Sequence, residues 1–282
     1  MDQRHDYILK TQKYNKHIED IIVQEYDLEI KFLNLINWGY NTTAFYLETS
    51  IGKLILRLST YSEEKLQVIQ KDILISELLS DVLPIPRFIK SKKGNLICVI
   101  TDEQGVKRIL RLSDHMEGVM PFNPDKEVIH QTATFLKKLH TQVPAEKLTL
   151  LKKSSMLEIK ENAPAVLVHG DLTPSNVLIS HNKLVRVVDF ENACIGPKEI
   201  DLARSSVFFW FRMPNFKFEE VLCMFLDAYN DEVNSDMLYD FSRAFLVEHV
   251  ENVTNSKEVY ESENAWNEDI KFSKQMLATF NA

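Results

Sequence analysis

The chain has 282 residues, of which 45% are hydrophobic, and it contains only 7 Gly and 9 Pro. This length and composition predict one large domain or two lobes, and they argue against a disordered or collagen-like chain. The net charge of −8 argues against a general binder of nucleic acid or of an anionic membrane. From Asp201 onward there are 15 acidic and 7 basic residues. That excess indicates either a solvated acidic helical surface or a cleft wall that attracts a cationic substrate.

The cysteines, the N-terminus and the apolar runs indicate in which cellular compartment the protein is expected. Cys98, Cys194 and Cys223 are widely spaced and odd in number, so they predict neither a disulfide framework nor a Cys-x-x-Cys metal site. The N-terminal MDQRHDYILK lacks the apolar core of a signal peptide. The apolar run VFFWF at 207–211 is too short to span a bilayer and is expected to form a buried helix face. We therefore expect a protein of the reducing cytoplasm with no membrane partner.

The first predicted element is a helix from about residue 5 to 30, whose apolar face contains Ile18, Ile21 and Ile22. Short β-rich runs in IKFLNLINWGYNTTAFYLETSIGKLILRLST, broken by WGYN and SIGK, then predict three antiparallel strands. Ser62 is the predicted N-cap of a helix in SEEKLQVIQKDILISELL, which ends before the two prolines of LPIPRFI. LICVITDEQGVKRILRLSDHMEG predicts a hairpin of two further strands.

The second half of the chain is predicted to be mainly helical with a small β patch. Asn123 and Pro124 are expected to start a helix that continues through VIHQTATFLKKLH. VLVH, NVLI and LVRVVDF are typical of short buried strands, and VLCMFLDAY, MLYDFSRAFLVEHVENV and EDIKFSKQMLATF are typical of helices. The order predicts an α+β fold. Residues 1–115 would form a lobe with an antiparallel β-sheet and one key helix, and residues 116–282 a mainly helical lobe.

The segment VLVHGDLTPSNVLI places polar residues between two strand-like runs. Asp171 and Asn176 fit D-x-x-x-x-N, and His169 extends this to H-x-D-x-x-x-x-N. In phosphoryl transfer a carboxylate orients the attacking hydroxyl, and an amide oxygen nearby ligates Mg²⁺. A second carboxylate is then expected close by, and a hairpin over residues 177–188 would bring Asp189 back beside Asn176.

This order of residues resembles the catalytic loop and metal-binding Asp of the protein-kinase-like fold. More closely, the sequence resembles the aminoglycoside phosphotransferase/choline kinase family of small-molecule kinases. The matching segments are HGDLTPSN at 169–176, VVDFENACIGPKEIDLA at 187–203, and the helix end LKKLH at His140. The resemblance extends over about residues 35 to 205 and implies a bilobal protein-kinase-like fold.

The resemblance also implies a role for each matching residue. Asp171 would be the catalytic base or hydroxyl-orienting residue, and Asn176 and Asp189 would hold Mg²⁺. His169 would brace the metal-binding loop, and Asp201 would be a buried carboxylate that holds the catalytic loop. The alternative is that these are ordinary turn and capping residues. Three motifs in order, each after a suitable strand, favour the functional interpretation.

The β-rich lobe carries a fainter match in GYNTTAFYLETSIGKLILRL, which resembles the family's nucleotide loop and following strands. Gly39 is the single glycine of that loop, and Thr42, where the family usually has Asn, can hydrogen-bond a phosphate. Arg57 occupies the position of the protein-kinase Lys and would pair with phosphate oxygens, the alternative being a surface Arg on an edge strand. Asp72 is the predicted partner of Arg57, and two glutamates of the same helix remain alternatives.

The sequence thus predicts a Mg²⁺-dependent kinase that transfers the γ-phosphoryl group of ATP or GTP to a hydroxyl of a small molecule. Metabolite kinases for choline, homoserine or a sugar remain open, and the acidic C-terminal part favours a cationic acceptor. A protein kinase is disfavoured, because the DLA run starts only twelve residues after Asp189, too few for an activation segment. The other alternative is a non-catalytic nucleotide-binding pseudokinase, against which the intact Asp171, Asn176 and Asp189 argue.

Overall fold

The computed structural model describes residues 16, 19–38, 42–102, 105–143, 166–257 and 262–281. The chain divides into two compact units, Met1–Glu117 and Gly118–Ala282. Much of the first predicted helix lies outside the described residues. Within them, residues 19–26 are helical and a strand has begun by Ile30, so the helix ends earlier than predicted.

The first unit is built on a six-stranded antiparallel sheet, in the spatial order β1-β2-β3-β6-β4 with β5 paired to β6. The three strands predicted before Ser62 and the later hairpin are confirmed. The elements of this unit in chain order are α1 (residues 19–26), β1 (Ile30–Trp38), β2 (Thr42–Thr49), β3 (Gly52–Thr60), α2 (Glu63–Leu79), β4 (Phe88–Ile89), β5 (Cys98–Thr101) and β6 (Lys107–Asp114).

Alternation along β3 decides which side chains enter the core of this sheet. Leu54, Leu56 and Leu58 point to one side and are buried in the main hydrophobic cluster of the unit. Because successive side chains of a strand point to opposite faces, Arg57 lies on the other face, directly opposite Arg111 of β6. Two cationic side chains therefore lie side by side on the face opposite that cluster.

Helix α2 begins where the sequence predicted. The Ser62 hydroxyl accepts a hydrogen bond from the backbone N–H of Lys65 at 3.1 Å, which satisfies one of the free N–H groups of the first turn. On its buried side, Ile69 and Ile73 pack with Ile109 of β6 in a second hydrophobic cluster. The helix is thereby fixed against the sheet. Asp72, which lies between these two isoleucines in the sequence, is also buried.

The second unit is mainly helical with two small two-stranded sheets, which confirms the α+β fold class and the predicted β patch. β7 pairs with β10 and β8 pairs with β9, both antiparallel. Its elements in chain order are α3 (Lys126–Gln142), β7 (Val166–Val168), β8 (Val177–Ser180), β9 (Lys183–Val187), β10 (Cys194–Gly196), α4 (Glu199–Trp210), α5 (Phe218–Tyr229), α6 (Ser235–Asn255) and α7 (Glu263–Phe280).

Two helices of this unit test the sequence predictions in detail. Helix α3 begins at Lys126 rather than at Asn123, because the carboxylate of Asp125 accepts the N–H of Val128 at 2.9 Å and caps the helix. The VFFWF run lies at the end of α4, where Val207 and Phe209 are fully buried, as predicted. Among the described residues, no helix is both long and apolar enough to cross a membrane.

Candidate functional site

The polar loop between β7 and β8 brings two of the predicted site residues into direct contact. Residues Pro174–Asn176 form a 3-10 turn, which carries Asn176 back toward the start of the loop. The side-chain N–H of Asn176 donates to the backbone carbonyl of Asp171 at 2.8 Å and lies 3.3 Å from the Oδ2 of the same residue. The D-x-x-x-x-N spacing therefore brings the side chain of Asn176 into hydrogen-bond contact with Asp171.

The hairpin predicted to return Asp189 is also present. Val177 of β8 pairs with Val187 of β9, and the N–H of Val188 donates to the carbonyl of Asn176 at 2.9 Å. Asp189 follows with φ 71° and ψ 67°, a left-handed conformation that Asp adopts more readily than most residues. It is half-buried, and among the described residues its carboxylate makes no hydrogen bond or ion pair.

Asn176 and Asp189 are chemically suited to hold Mg²⁺. Because the amide nitrogen of Asn176 is used by Asp171, its Oδ1 is left without a hydrogen-bond donor among the described residues. Mg²⁺ prefers oxygen ligands and is usually bound by one or two carboxylates together with water and substrate phosphates. No group of three or more His, Cys, Asp or Glu suited to a metal occurs within the described part of the chain. The two oxygen donors thus fit an ion that takes its other ligands from phosphate and water.

His169 is fully buried and connects the two ends of this site. Its Nδ1 accepts the backbone N–H of Asp171 at 3.2 Å, and its Nε2 lies 3.1 Å from the carbonyl of Val188. A neutral ring with the proton on Nε2 satisfies both contacts. The imidazole also packs on Phe190, with ring centroids 4.4 Å apart. His169 therefore contacts the chain at Asp171 and next to Asp189, and its role in bracing the metal-binding loop stays a prediction.

Asp201 lies at the start of α4 and is completely buried beneath the loop. Its carboxylate accepts the backbone N–H of His169 at 2.7 Å, the N–H of Gly170 at 2.8 Å and the Nε2 of His140 at 3.0 Å. Burial acts to raise the pKa of Asp201. The hydrogen bond from His140 and the backbone N–H of His169 outweigh this effect and bring that pKa below its ordinary value. An ionised carboxylate thus holds the loop from its buried side.

The backbone conformation and the close surroundings of Gly170 leave no room for a side chain. Its φ is 75°, and a Cβ placed there would lie 2.4 Å from the carbonyl oxygen of Asn192. We expect Gly170→Ala to lower the free energy of unfolding by more than the ~1–3 kcal/mol of a strained φ alone, because the clash adds to the strain. Gly94→Ala is the matched control, since Gly94 has φ 81° with nothing within 4 Å of the added Cβ. Urea unfolding of both variants measures the difference, and equal losses would contradict the clash.

Arg204 is the residue of this site that the sequence analysis missed. Its Nε donates to the Oδ1 of Asp171 at 2.8 Å. The next residue on α4, Ser205, donates its hydroxyl to the carbonyl of Leu172 at 2.8 Å. Asp201, Arg204 and Ser205 are spaced i, i+3 and i+4, so they share one face of the helix. That polar spacing in an otherwise apolar helix was the available signal.

A cavity of about 470 Å³ opens beside Asp171 within the second unit. Its lining combines the loop between β7 and β8 with side chains from α4, α6 and α7 and from the residues after α4. The lining residues are Asp171, Thr173, Pro174, Ser175, Arg204, Phe208, Phe211, Arg212, His249, Asp269 and Phe272. A carboxylate at the edge of a concave, partly aromatic space is the arrangement expected of a small-molecule site.

One wall of this cavity is aromatic. Phe211 contacts both His249, with ring centroids 4.9 Å apart, and Phe272, at 5.9 Å. Phe208 lies edge-on to His249 at 5.6 Å. Burial is the main cause that lowers the pKa of His249, so its ring favours the neutral form. The wall therefore presents ring faces and a neutral imidazole.

The predicted nucleotide-binding residues belong to the first unit. Gly39 lies outside the described residues. The Thr42 hydroxyl is 2.9 Å from that of Ser59 on the neighbouring strand. Asp72 forms a buried ion pair with Nη1 of Arg111 at 3.0 Å, a partner that the sequence analysis did not single out for this acid. The pairing of Asp72 with Arg57 stays a prediction. Arg111 alternates with leucines in RILRLS, the same pattern that drew attention to Arg57.

A family model matches the part of the chain that carries the polar loop. The model of the phosphotransferase enzyme family matches residues 151–238, a range that contains Asp171, Asn176, Asp189 and Asp201. A search of curated protein sequences found no significant match.

Three similar solved structures cover nearly the whole chain. The chain is similar to a spectinomycin phosphotransferase in complex with ADP and spectinomycin, with 16% identity, TM-score 0.67, and 95% of this chain and 97% of that chain covered. It is similar to an amicoumacin kinase in complex with AMP-PNP, Ca²⁺ and Ami, with 13% identity, TM-score 0.71, and 96% of each chain covered. It is also similar to a choline kinase from Streptococcus pneumoniae, with 13% identity, TM-score 0.60, and coverage of 95% and 99%.

These likenesses decide two of the sequence predictions. The protein-kinase-like fold, with an N-terminal antiparallel sheet and a mainly helical C-terminal part, is confirmed. The resemblance to the aminoglycoside phosphotransferases and choline kinases is confirmed as well. Together, the family match and the fold support a small-molecule phosphotransferase. The roles of the individual residues stay predictions.

Proposed function

We propose that this protein is a Mg²⁺-dependent kinase that transfers the γ-phosphoryl group of ATP or GTP to a hydroxyl of a small molecule. One observation carries the proposal: Asp171 lines the cavity of the second unit while its own backbone and carboxylate contact Asn176. A carboxylate that orients a hydroxyl and an amide that serves a metal ion are thereby parts of one loop, as phosphoryl transfer requires.

Each group of the loop has a proposed task. The carboxylate of Asp171 would accept the hydrogen bond of the acceptor hydroxyl and take its proton as the phosphoryl group is transferred. Mg²⁺, held by the amide oxygen of Asn176 and the carboxylate of Asp189, would supply positive charge against the phosphate oxygens. Because Asp201 and His169 fix the loop from its buried side, little reorganisation would be needed at the moment of reaction.

The phosphoryl donor would be held in part by the first unit. We propose that Gly39 and Thr42 contact the phosphates, and that Arg57 neutralises part of their charge while Asp72 orders the neighbouring cations. The similar spectinomycin phosphotransferase and amicoumacin kinase were solved with ADP and AMP-PNP, which supports a nucleotide donor. Thermal shifts with ATP and with GTP distinguish the two.

The acceptor would occupy the cavity beside Asp171. The described lining holds two acids, Asp171 and Asp269, and two arginines, Arg204 and Arg212. This balance gives no support to the predicted preference for a cationic acceptor. The aromatic wall supports an acceptor that offers a ring, an apolar face or a cationic group as well as its hydroxyl. Spectinomycin and choline, named with two of the similar proteins, are starting members of a test panel.

The cysteines support the proposed cytoplasmic location. Cys98, Cys194 and Cys223 are free thiols in the structure, and free thiols persist in a reducing compartment.

The metal site is tested by nucleotide-dependent thermal stability. We expect ATP or GTP to raise the melting temperature of the wild type more strongly with Mg²⁺ than without it, because a ligand that binds only the folded state stabilises it. Asp189→Asn should abolish that Mg²⁺-dependent increment, since it removes the carboxylate ligand. Asp227→Asn, an exposed acid on α5, is the control and should keep the increment.

An acceptor panel, followed by ADP or GDP release and by ³¹P NMR of the product, completes the experiment. A Mg²⁺-dependent increment that survives in Asp189→Asn would contradict the metal site. Nucleotide binding without phosphoryl transfer to any acceptor or to water would indicate the pseudokinase.

A further inference from the structure

We propose that Arg204 is a positioning residue for Asp171, which sets the direction in which the carboxylate meets the acceptor hydroxyl. The inference rests on the proposed function. Arg204 lies outside the H-x-D-x-x-x-x-N loop and reaches it from α4. It is also part of the cavity lining, as Asp171 is, so both side chains border the space proposed for the acceptor.

The first argument is the way in which the carboxylate is held. A carboxylate can rotate about its Cβ–Cγ bond unless both oxygens have partners. Here the Nε of Arg204 donates to Oδ1 at 2.8 Å, and the Asn176 amide lies 3.3 Å from Oδ2. Two donors on different oxygens fix the plane of the Asp171 carboxylate. The Arg204 contact is the shorter one, and it is charge-assisted, which makes it the stronger of the two.

The second argument is that the Arg204 side chain is itself fixed. Its guanidinium lies 5.2 Å from the ring centroid of Phe208 and 4.9 Å from that of Phe245. Its Nη1 is 3.6 Å from the Oε2 of Glu248 on α6. Its side chain is only 16% exposed. A long side chain held by two rings and a second carboxylate has little freedom left, so it can determine the position of its partner.

The third argument concerns the face of α4 that carries Arg204. Asp201 holds the backbone of the loop at His169 and Gly170, and Ser205 holds it at Leu172. These two contacts already fix the main chain on either side of Asp171. Arg204 adds the only contact from this helix to the Asp171 carboxylate among the described residues. Its contribution is therefore to the direction of the carboxylate rather than to the folding of the loop.

Glu248 contributes to the proposed positioning of Asp171 through its contact with Arg204. Glu248 precedes His249, a cavity residue on α6, and contacts Nη1 of the guanidinium, whereas Asp171 contacts Nε. Helix α6 thereby supports Arg204, and Arg204 supports Asp171. Loss of Glu248 should loosen the arginine without removing its contact to the loop.

The test compares Arg204→Met and Arg204→Lys with the wild type in steady-state phosphoryl transfer. We expect Arg204→Met to lower kcat about 100-fold, the scale reported for misplacement of a reacting group by about 1 Å, while the KM for the nucleotide stays unchanged. Arg204→Lys should recover part of the loss, because it restores the charge but not the planar geometry. Glu248→Gln should lower kcat by a smaller factor than Arg204→Met.

Arg243→Met is the control, since Arg243 is an exposed arginine of α6 outside the cavity lining, and its kcat should equal that of the wild type. A role that acts through Asp171 also predicts that Arg204→Met has no further effect on the residual turnover of Asp171→Asn. If the role of Arg204 were purely structural, Arg204→Met would lower the turnover of the wild type and of Asp171→Asn alike. It would also lower the melting temperature. If Arg204→Met does not fold, Arg204→Lys and Glu248→Gln carry the comparison.

The outcomes separate this inference from the proposed function. Absence of phosphoryl transfer by the wild type would overturn the function and the inference with it. A wild type that is active and an Arg204→Met variant that keeps its kcat would overturn the inference alone. So would a loss confined to the KM of the acceptor, because that loss would assign Arg204 to substrate binding instead.

Discussion

Asp171→Asn is expected to lower kcat by about 100- to 10,000-fold, the range attributed to a positioned general base. The amide keeps the shape of the side chain, and the backbone carbonyl of residue 171 still accepts the Asn176 amide, but the carboxamide cannot take a proton from the acceptor hydroxyl. Because Asp171 is not one of the two proposed metal ligands, the Mg²⁺-dependent thermal shift with nucleotide should be retained. This combination separates a loss of chemistry from a loss of binding.

Single-turnover phosphoryl transfer and the thermal shift should be measured on the same preparation. Asp240→Asn, which removes an exposed carboxylate of α6, controls for the change in net charge and should behave as the wild type. If Asp171→Asn lost the nucleotide shift together with its activity, the residue would have to be reassigned to nucleotide binding. If it kept full activity, the catalytic loop interpretation would fail.

Asp201→Asn is expected to destabilise the second unit by about 3 kcal/mol or more, on the scale of breaking a buried charged network. The carboxylate accepts three hydrogen bonds from His140, His169 and Gly170. An asparagine has one acceptor oxygen, and its N–H₂ would face a donor that it cannot satisfy. Two of those three donors are backbone N–H groups of the catalytic loop, so activity should fall as well.

The pH dependence of stability gives this prediction a second readout. The pKa of Asp201 is lowered in the folded protein from its ordinary value of 3.8. Its ionised form therefore contributes stability above that value, and the contribution is lost as the pH falls through and below it. Urea unfolding at about pH 7 and about pH 3 should show a smaller difference between wild type and Asp201→Asn at the lower pH.

Asp231 provides the matched comparison for this measurement. Its pKa is also lowered, chiefly by the hydrogen bond from Lys137, but its side chain is 41% exposed. Ion pairs at such a surface typically contribute about 1 kcal/mol or less, so Asp231→Asn should change stability little at either pH. A difference between wild type and Asp201→Asn that did not depend on pH would show that the buried charge is not its source.

The contacts within the catalytic loop could be predicted from sequence because they are local. The five-residue spacing between Asp171 and Asn176, and a hairpin of two short strands before Asp189, bring these groups together without help from distant parts of the chain. The strand alternation and the Ser62 cap are local in the same sense. The start of α3 was misplaced by a local ambiguity, since Asn123 and Asp125 can both cap a helix.

The contacts of Arg204 and Arg111 could not be predicted in this way because they depend on packing between elements far apart in sequence. Arg204 meets Asp171 across 33 residues, and Arg111 meets Asp72 across 39 residues. An arginine that forms either contact has the same sequence pattern as one that points into solvent. The aromatic wall could not be predicted for the same reason, since Phe211 and Phe272 meet only once α7 has packed near the end of α4.

The buried supports of the loop between β7 and β8 and the aromatic wall of the cavity come from different side chains. Asp201, His140 and Ser205 hold the loop from its buried side, whereas Phe208, Phe211, His249 and Phe272 face the cavity. Substitutions of Phe211 or Phe272 therefore leave the hydrogen bonds from Asp201 and Ser205 to the loop in place. Over evolutionary time, a chain built in this way can exchange one acceptor for another while its phosphoryl-transfer machinery is inherited unchanged.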